Sequence, residues 1–254
     1  MYSLSLPVET PEDRDFHQDD RTTVPPLPGN IVLSSYRGGR QFPIILTMSG
    51  FPDSEAARAY AVEFSTALRC VSLEMGFSLR PSGRDLAETT TKFFDGNTPT
   101  IFATDLAAKP ISATAYGCMS EHLATLVGRL DDIISSGCVA RVHKSPQLAL
   151  ALRLFSEVEF AGGETAKFVV LLSALEVLIP QPTRGTKRSR VCGLVRDTFR
   201  ACGRDDAKET SKRVDAMYVA RNDLIHEGLP VSSALVSELT TIVRETLRCI
   251  IRAE

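Results

Sequence analysis

Arg221, Asn222 and His226 stand close together in "ARNDLIHEG", residues 220 to 228, and their types suit phosphodiester chemistry. Histidine changes charge near neutral pH, so it can take or give a proton. Arginine carries a permanent charge on a planar fork that matches phosphate oxygens, where negative charge collects in a transition state. Asparagine can fix the imidazole tautomer or hold a non-bridging oxygen. The spacing is the difficulty. At about 100° per residue, Asn222 and His226 stack one turn apart, whereas Arg221 and His226 diverge by about 140°. Either the last helical turn unwinds, or a second copy of the chain supplies the missing group across a symmetric interface. The bland alternative is a capped helix end with Arg221 paired to Glu176 or Asp215.

The elements that must position these residues are helices. The motif closes a helix with an inner stripe of Val214, Met217, Tyr218 and Leu224, expected to end at Gly228 because Pro230 forbids continuation. Before it, "SEHLATLVGRLDDIISSG" places Leu123, Leu126, Val127, Leu130, Ile133 and Ile134 on one stripe, with Gly137 as its terminator. Ser145 and Pro146 suit the cap and first turn of the next helix. "ETAKFVVLLSALEVLI" is apolar around most of its circumference, so it is expected at the centre, stopping at Pro180. "RSRVCGLVRDTFRACG" buries Val191, Leu194, Val195, Phe199 and Cys202 in this reading, and a last helix presents Leu235, Leu239, Ile242, Val243, Thr246 and Ile250 on one side. Short connections between them favour an up-and-down helical bundle.

In its order of parts, the "FVVLLSALEVLI" helix, a basic loop and helix, then "RVDAMYVARNDLIHEG", this half of the chain resembles the HEPN superfamily, and within it the Apea-like HEPN group. The likeness covers roughly residues 145 to 252 and does not reach the first 110. It implies a dimeric α-helical domain and, in active members, a metal-independent endoribonuclease that needs no cofactor. Carried over by position, Arg221 and His226 become the catalytic pair, Asn222 the orienting residue, and Glu176 the group that holds Arg221. Such an enzyme cleaves RNA by attack of the 2'-hydroxyl and leaves a 2',3'-cyclic phosphate, in a defence or stress response, with an antitoxin or regulatory protein as a possible partner. Silent members serve instead as dimerisation modules or scaffolds for nucleotide, nucleic acid or protein.

Charge offers a place for RNA. The chain carries a net charge of -2, yet residues 180 to 213 hold ten Lys or Arg against four acids, a local +6. Arg184, Lys187, Arg188 and Arg190 cluster after the proline break as a phosphate-contacting rim. No aromatic residue is interleaved to stack bases, and a solvated loop is the competing reading.

The region ahead of the bundle differs. Residues 1–30 carry five prolines and six acids against two arginines, the composition of a loosely attached arm. Residues 31–115 mix apolar runs around Arg37-Gly38-Gly39-Arg40, which favour a hairpin, with a helix after Asp53 or Ser54 and short strands in "GFSLRP" and "TPTIFATD". With the helical domain at 116–254, the expected class is α+β. The RGGR turn is a weaker candidate for an RNA contact.

Other chemistries lack a foothold. Six scattered cysteines with no C-x-x-C spacing read as free thiols of a cytoplasmic protein. His17, His122 and His143 have no partner at ligand spacing, so no metal is expected. "AGGETAK" and "RGTKR" do not match a P-loop, and there is no G-x-S-x-G. The longest nearly uncharged stretch, 168 to 183, contains Glu176 and two prolines, which excludes a convincing membrane span.

Overall fold

The computed structural model describes residues 2–9, 32–36, 44–51, 53–75, 80–81, 92–95, 98–101, 129–130, 132–180 and 185–253. It divides into two compact units, Met1–Val139 and Ala140–Glu254. The RGGR turn, Arg184, Cys118, His17, His122, Leu123, Leu126 and Val127 lie outside the described residues, as does most of the acidic N-terminal stretch.

The expectation of an α+β fold is overturned. Where side chains are described, the chain is 83% helical, with no strand and no sheet. Short antiparallel backbone segments are traced in the first unit, β1 (Tyr2–Glu9), β2 (Val32–Tyr36), β3 (Ile44–Phe51), β4 (Arg80–Pro81), β5 (Lys92–Asp95) and β6 (Thr98–Ile101), in the order β2-β3-β1-β5-β6 with β4 on β1. Leu4 stands opposite Met48, and Leu33 opposite Met48 on the other side. None of their side chains is described, and they place no residue in the described core. Class follows from what packs the core, and here that is helix alone.

In the first unit, α1 (Ser54–Met75) begins where Asp53 accepts a hydrogen bond from the Ala56 amide at 2.7 Å. Phe64, Ala67, Leu68 and Val71 follow at steps of three and four and are fully buried. Leu130 and Ile133 are also core residues of this unit. Gly137 takes a left-handed φ of 74°, and α2 (Cys138–Lys144) follows it across the boundary.

The second unit is a helical assembly built around α7. Ser145 caps α3 (Pro146–Glu157) by accepting from the Leu148 amide, with Pro146 in the first turn. A short 3-10 turn, Val158–Phe160, leads to α4 (Glu164–Glu176), which buries Phe168, Leu171, Leu172, Ala174 and Leu175. Regular helix ends there at Glu176, four residues short of Pro180. Thr186 caps α5 (Lys187–Ala201), and Ser232 caps α7 (Ser233–Arg252). Between them runs α6 (Ala207–Glu227). α7 packs against α3, α4, α5 and α6 through Val236, Leu239, Ile242, Val243, Thr246, Leu247 and Ile251. Burial of so many large apolar groups, each contributing roughly 1.5–3 kcal/mol, is what makes this helix the organising element.

Two burial expectations for α5 fail. Leu194 is only half-buried and Cys202 is exposed, because α5 turns one face to α6 and α7 through Val191, Val195 and Phe199 and ends in solvent.

Candidate functional site

The motif sits on the last two turns of α6, and these turns are wound. Gly228 adopts the left-handed conformation at φ 69°, and its N–H donates to the Leu224 carbonyl at 3.1 Å. The helix is therefore regular through Glu227, and unwinding does not bring Arg221 to His226. Arg221 continues the buried stripe of Val214 and Tyr218 and is half-buried; Asn222 and His226 stack on the neighbouring face with Val219, and all three are exposed. One chain does not aim the guanidinium and the imidazole at a common point.

Glu176 is placed differently from the sequence expectation. It ends α4 with only 15% of its side chain exposed, and a carboxylate so placed needs donors. The Tyr218 hydroxyl donates to Oε1 at 3.1 Å and Lys187 Nζ donates to Oε2 at 3.0 Å. Arg221 is not among its ion-pair partners, so Glu176 does not hold Arg221. Burial, followed by the charge of Glu176, pushes the Tyr218 phenol well above its ordinary value, while the nearby positive charge of Arg221 acts in the opposite direction. Among the described residues Arg221 makes no hydrogen bond or ion pair, which leaves its fork available. The Tyr218–Glu176–Lys187 chain was missed by sequence reasoning. Its signals were present: a tyrosine on the inner stripe one turn before Arg221, and an acid at the end of an otherwise apolar helix.

The basic rim is largely engaged. Arg188 makes a bidentate pair with Asp215, which holds that carboxyl below its ordinary range. Arg190 donates from a terminal nitrogen to the Pro180 carbonyl at 3.2 Å, and its buried Nε has no hydrogen-bond partner. Lys187 is paired with Glu176, as above. The acids that neutralise this rim, Glu176 and Asp215, come from helices on either side of the basic segment, so a charge count within that segment could not include them.

The remaining candidates resolve simply. "AGGETAK" opens α4 at Gly163, φ 94°, after the 3-10 turn and not after a strand. His143 is exposed on α2. Among the described residues no group of three His, Cys, Asp or Glu could hold a metal ion, and no helix is long and apolar enough to cross a membrane. Around the motif, Val219, Ile225 and Leu229 are 45%, 57% and 50% exposed, three of the six large apolar side chains so exposed in the described chain. No family model, no curated protein and no solved structure matches this chain.

Proposed function

We propose that the chain is an endoribonuclease of the HEPN type that works as a homodimer in the cytoplasm. The observation that carries this reading is the state of the motif: a half-buried Arg221 with no partner, an exposed Asn222–His226 pair on another face, and exposed apolar side chains beside both. A two-fold interface over Ile225 and Leu229 would cover apolar surface and bring Arg221 of one subunit toward His226 of the other.

In such a cleft the RNA 2'-hydroxyl attacks the adjacent phosphorus. The new P–O2' bond forms as the P–O5' bond breaks, leaving a 2',3'-cyclic phosphate and a 5'-hydroxyl. His226 moves the proton, Arg221 binds the charge that builds on the non-bridging oxygens, and Asn222 orients either group. Glu176 acts one step back, by fixing Tyr218 beside Arg221. Arg188 and Lys187 are surface ion pairs, which contribute little and can exchange a carboxylate for a phosphate. An antitoxin or other regulatory protein would act by covering the same face.

The test is incubation with mixed RNA in chelator. His226→Ala and Arg221→Ala should each lower cleavage by about 10²–10⁴-fold with helicity retained, and mixing the two inactive variants should restore part of it through heterodimers. Equal activity in parent and variants removes the motif from the chemistry.

A second reading has its own support. With Lys187 and Arg188 held by Glu176 and Asp215, the rim offers less net positive charge than its sequence suggests. A silent dimerisation module for nucleotide, nucleic acid or a protein partner would then form the same dimer and leave RNA intact.

A further inference from the structure

Two opposite charges in the motif stand without partners. Among the described residues, every half-buried carboxylate except that of Asp223 is engaged by another group. Of the half-buried arginines there, only Arg221 and Arg244 have no hydrogen bond or ion pair, and Arg244 lies 5.9 Å over the Phe155 ring. Taking a charge partly out of water without a counter-charge is unfavourable, yet here both signs occur two residues apart.

Within one chain they cannot meet. Residues two apart on a helix point about 160° away from each other, and this helix stays wound through Glu227. The neighbouring carboxylates are committed, Glu176 to Tyr218 and Lys187, Asp215 to Arg188. Seen down α6, the exposed Asn222–His226 face lies between the two charges, with Arg221 and Ile225 along one edge and Val219 and Asp223 along the other. A two-fold axis running along the helix direction lays that face on its copy with opposite edges together. The edge of Arg221 then meets the edge of Asp223 twice, whereas antiparallel helices would set like edges together.

We infer that Asp223 is the counter-ion of Arg221 across the dimer, so that each subunit's carboxylate holds the guanidinium of the other. This rests on the homodimer proposed above and adds the residue that sets its register. His226 stands one turn beyond Asp223 and about 60° around the helix, so the carboxylate that takes the guanidinium also sets it beside an imidazole. A guanidinium has five N–H donors and a carboxylate takes two of them, which leaves donors for a phosphate oxygen. Asp223 is therefore a positioning residue: it acts through Arg221 and touches no RNA.

Sedimentation velocity of the full chain over a concentration series, with cleavage of mixed RNA in chelator, tests this. Arg221→Asp and Asp223→Arg each set like charges together twice per dimer, and each should raise the dimer Kd on the order of 10²-fold at parental helicity. Mixed in equal amounts, the two variants should associate again, because both contacts of the mixed pair then join opposite charges. One of the two symmetric sites is intact in that pair, so about half of parental cleavage should return. Asp223→Asn should lower kcat on the order of 10-fold and raise KM less, Asp223→Glu should restore most of it, and Glu227→Arg, exposed one turn on, should change neither association nor kcat. A parental dimer whose Kd is unmoved by Asp223→Arg, or moved as much by Glu227→Arg, or two reversals that stay apart when mixed, would overturn the pairing and leave the homodimer standing. A parent that is monomeric in the presence of RNA removes both.

Discussion

The two ends of α6 are built for different purposes. Its first half carries Thr210, Val214 and Met217 into the core and is laced to its surroundings by ion pairs: Arg204 with Asp206 and Glu245, and Arg213 with Asp206 at 3.8 Å and with Glu238 at 3.4 Å. Its last two turns carry the same stripe onward, through Arg221 and Ile225, beyond the packed helices. Ile225 falls on the side that Val214 occupies, yet it is 57% exposed where Val214 is 0% exposed. The helix is continuous; only the neighbours change. One half therefore reports on folding, and the other is free to bind without cost to the fold.

That contrast can be broken from either end. The largest effect is expected at Met217→Ala, which leaves a cavity in the core and should cost about 2–5 kcal/mol in a urea titration. A loss below about 1 kcal/mol would mean that the core closes around the gap. Next comes the polar hinge between the two halves. Glu176→Ala strands the buried Tyr218 hydroxyl and should cost about 1–3 kcal/mol, and combining it with Tyr218→Phe should recover part of that loss in a double-mutant cycle. Strict additivity would show that the bond couples nothing.

Gly228→Ala probes the terminus of the exposed half. Open space surrounds the added methyl, but φ 69° strains an L-residue, so about 1 kcal/mol should be lost. Fraying should be confined to the last turn, seen as faster amide exchange near Leu224.

Acid separates the halves again. Arg204 and Arg188 hold Asp206 and Asp215 below the ordinary 3.8, so the unfolded chain binds more protons between the folded and unfolded values. Their contribution is present above about pH 4 and fades as pH falls through the lower, folded values. Asp206→Asn should shallow the acid limb of a stability–pH curve, more at low salt than at high. The smallest stability effect belongs to Ile225→Ser, below about 0.5 kcal/mol, with sedimentation velocity showing whether this side chain supports self-association.

Much of the second unit was legible because local chemistry there agrees with tertiary packing. Ser145 begins a helix and Gly228 ends one as their types demand, and Val191, Val195, Leu239, Ile242 and Val243 fall on inward stripes. Leu194 and Cys202 broke the pattern because α5 buries only the face of Val191, Val195 and Phe199: Leu194 lies mid-helix off that face, and Cys202 lies at the helix end in solvent. The α+β class failed for a related reason. Short apolar runs such as those in residues 31–51 satisfy strand and buried-segment patterns alike, so they say little about what packs the core.

The candidate site divides along the same line. The types at Arg221, Asn222 and His226, and their angular separation on a helix, follow from the chain alone, since helical geometry turns spacing into direction. Partners do not follow from spacing. That Glu176 receives Tyr218 and Lys187 instead of Arg221, and that Asp215 takes Arg188, depend on which helices lie side by side. A hydrogen bond or ion pair acts over a few ångströms in space, and residues tens of positions apart reach that range only once the helices have packed.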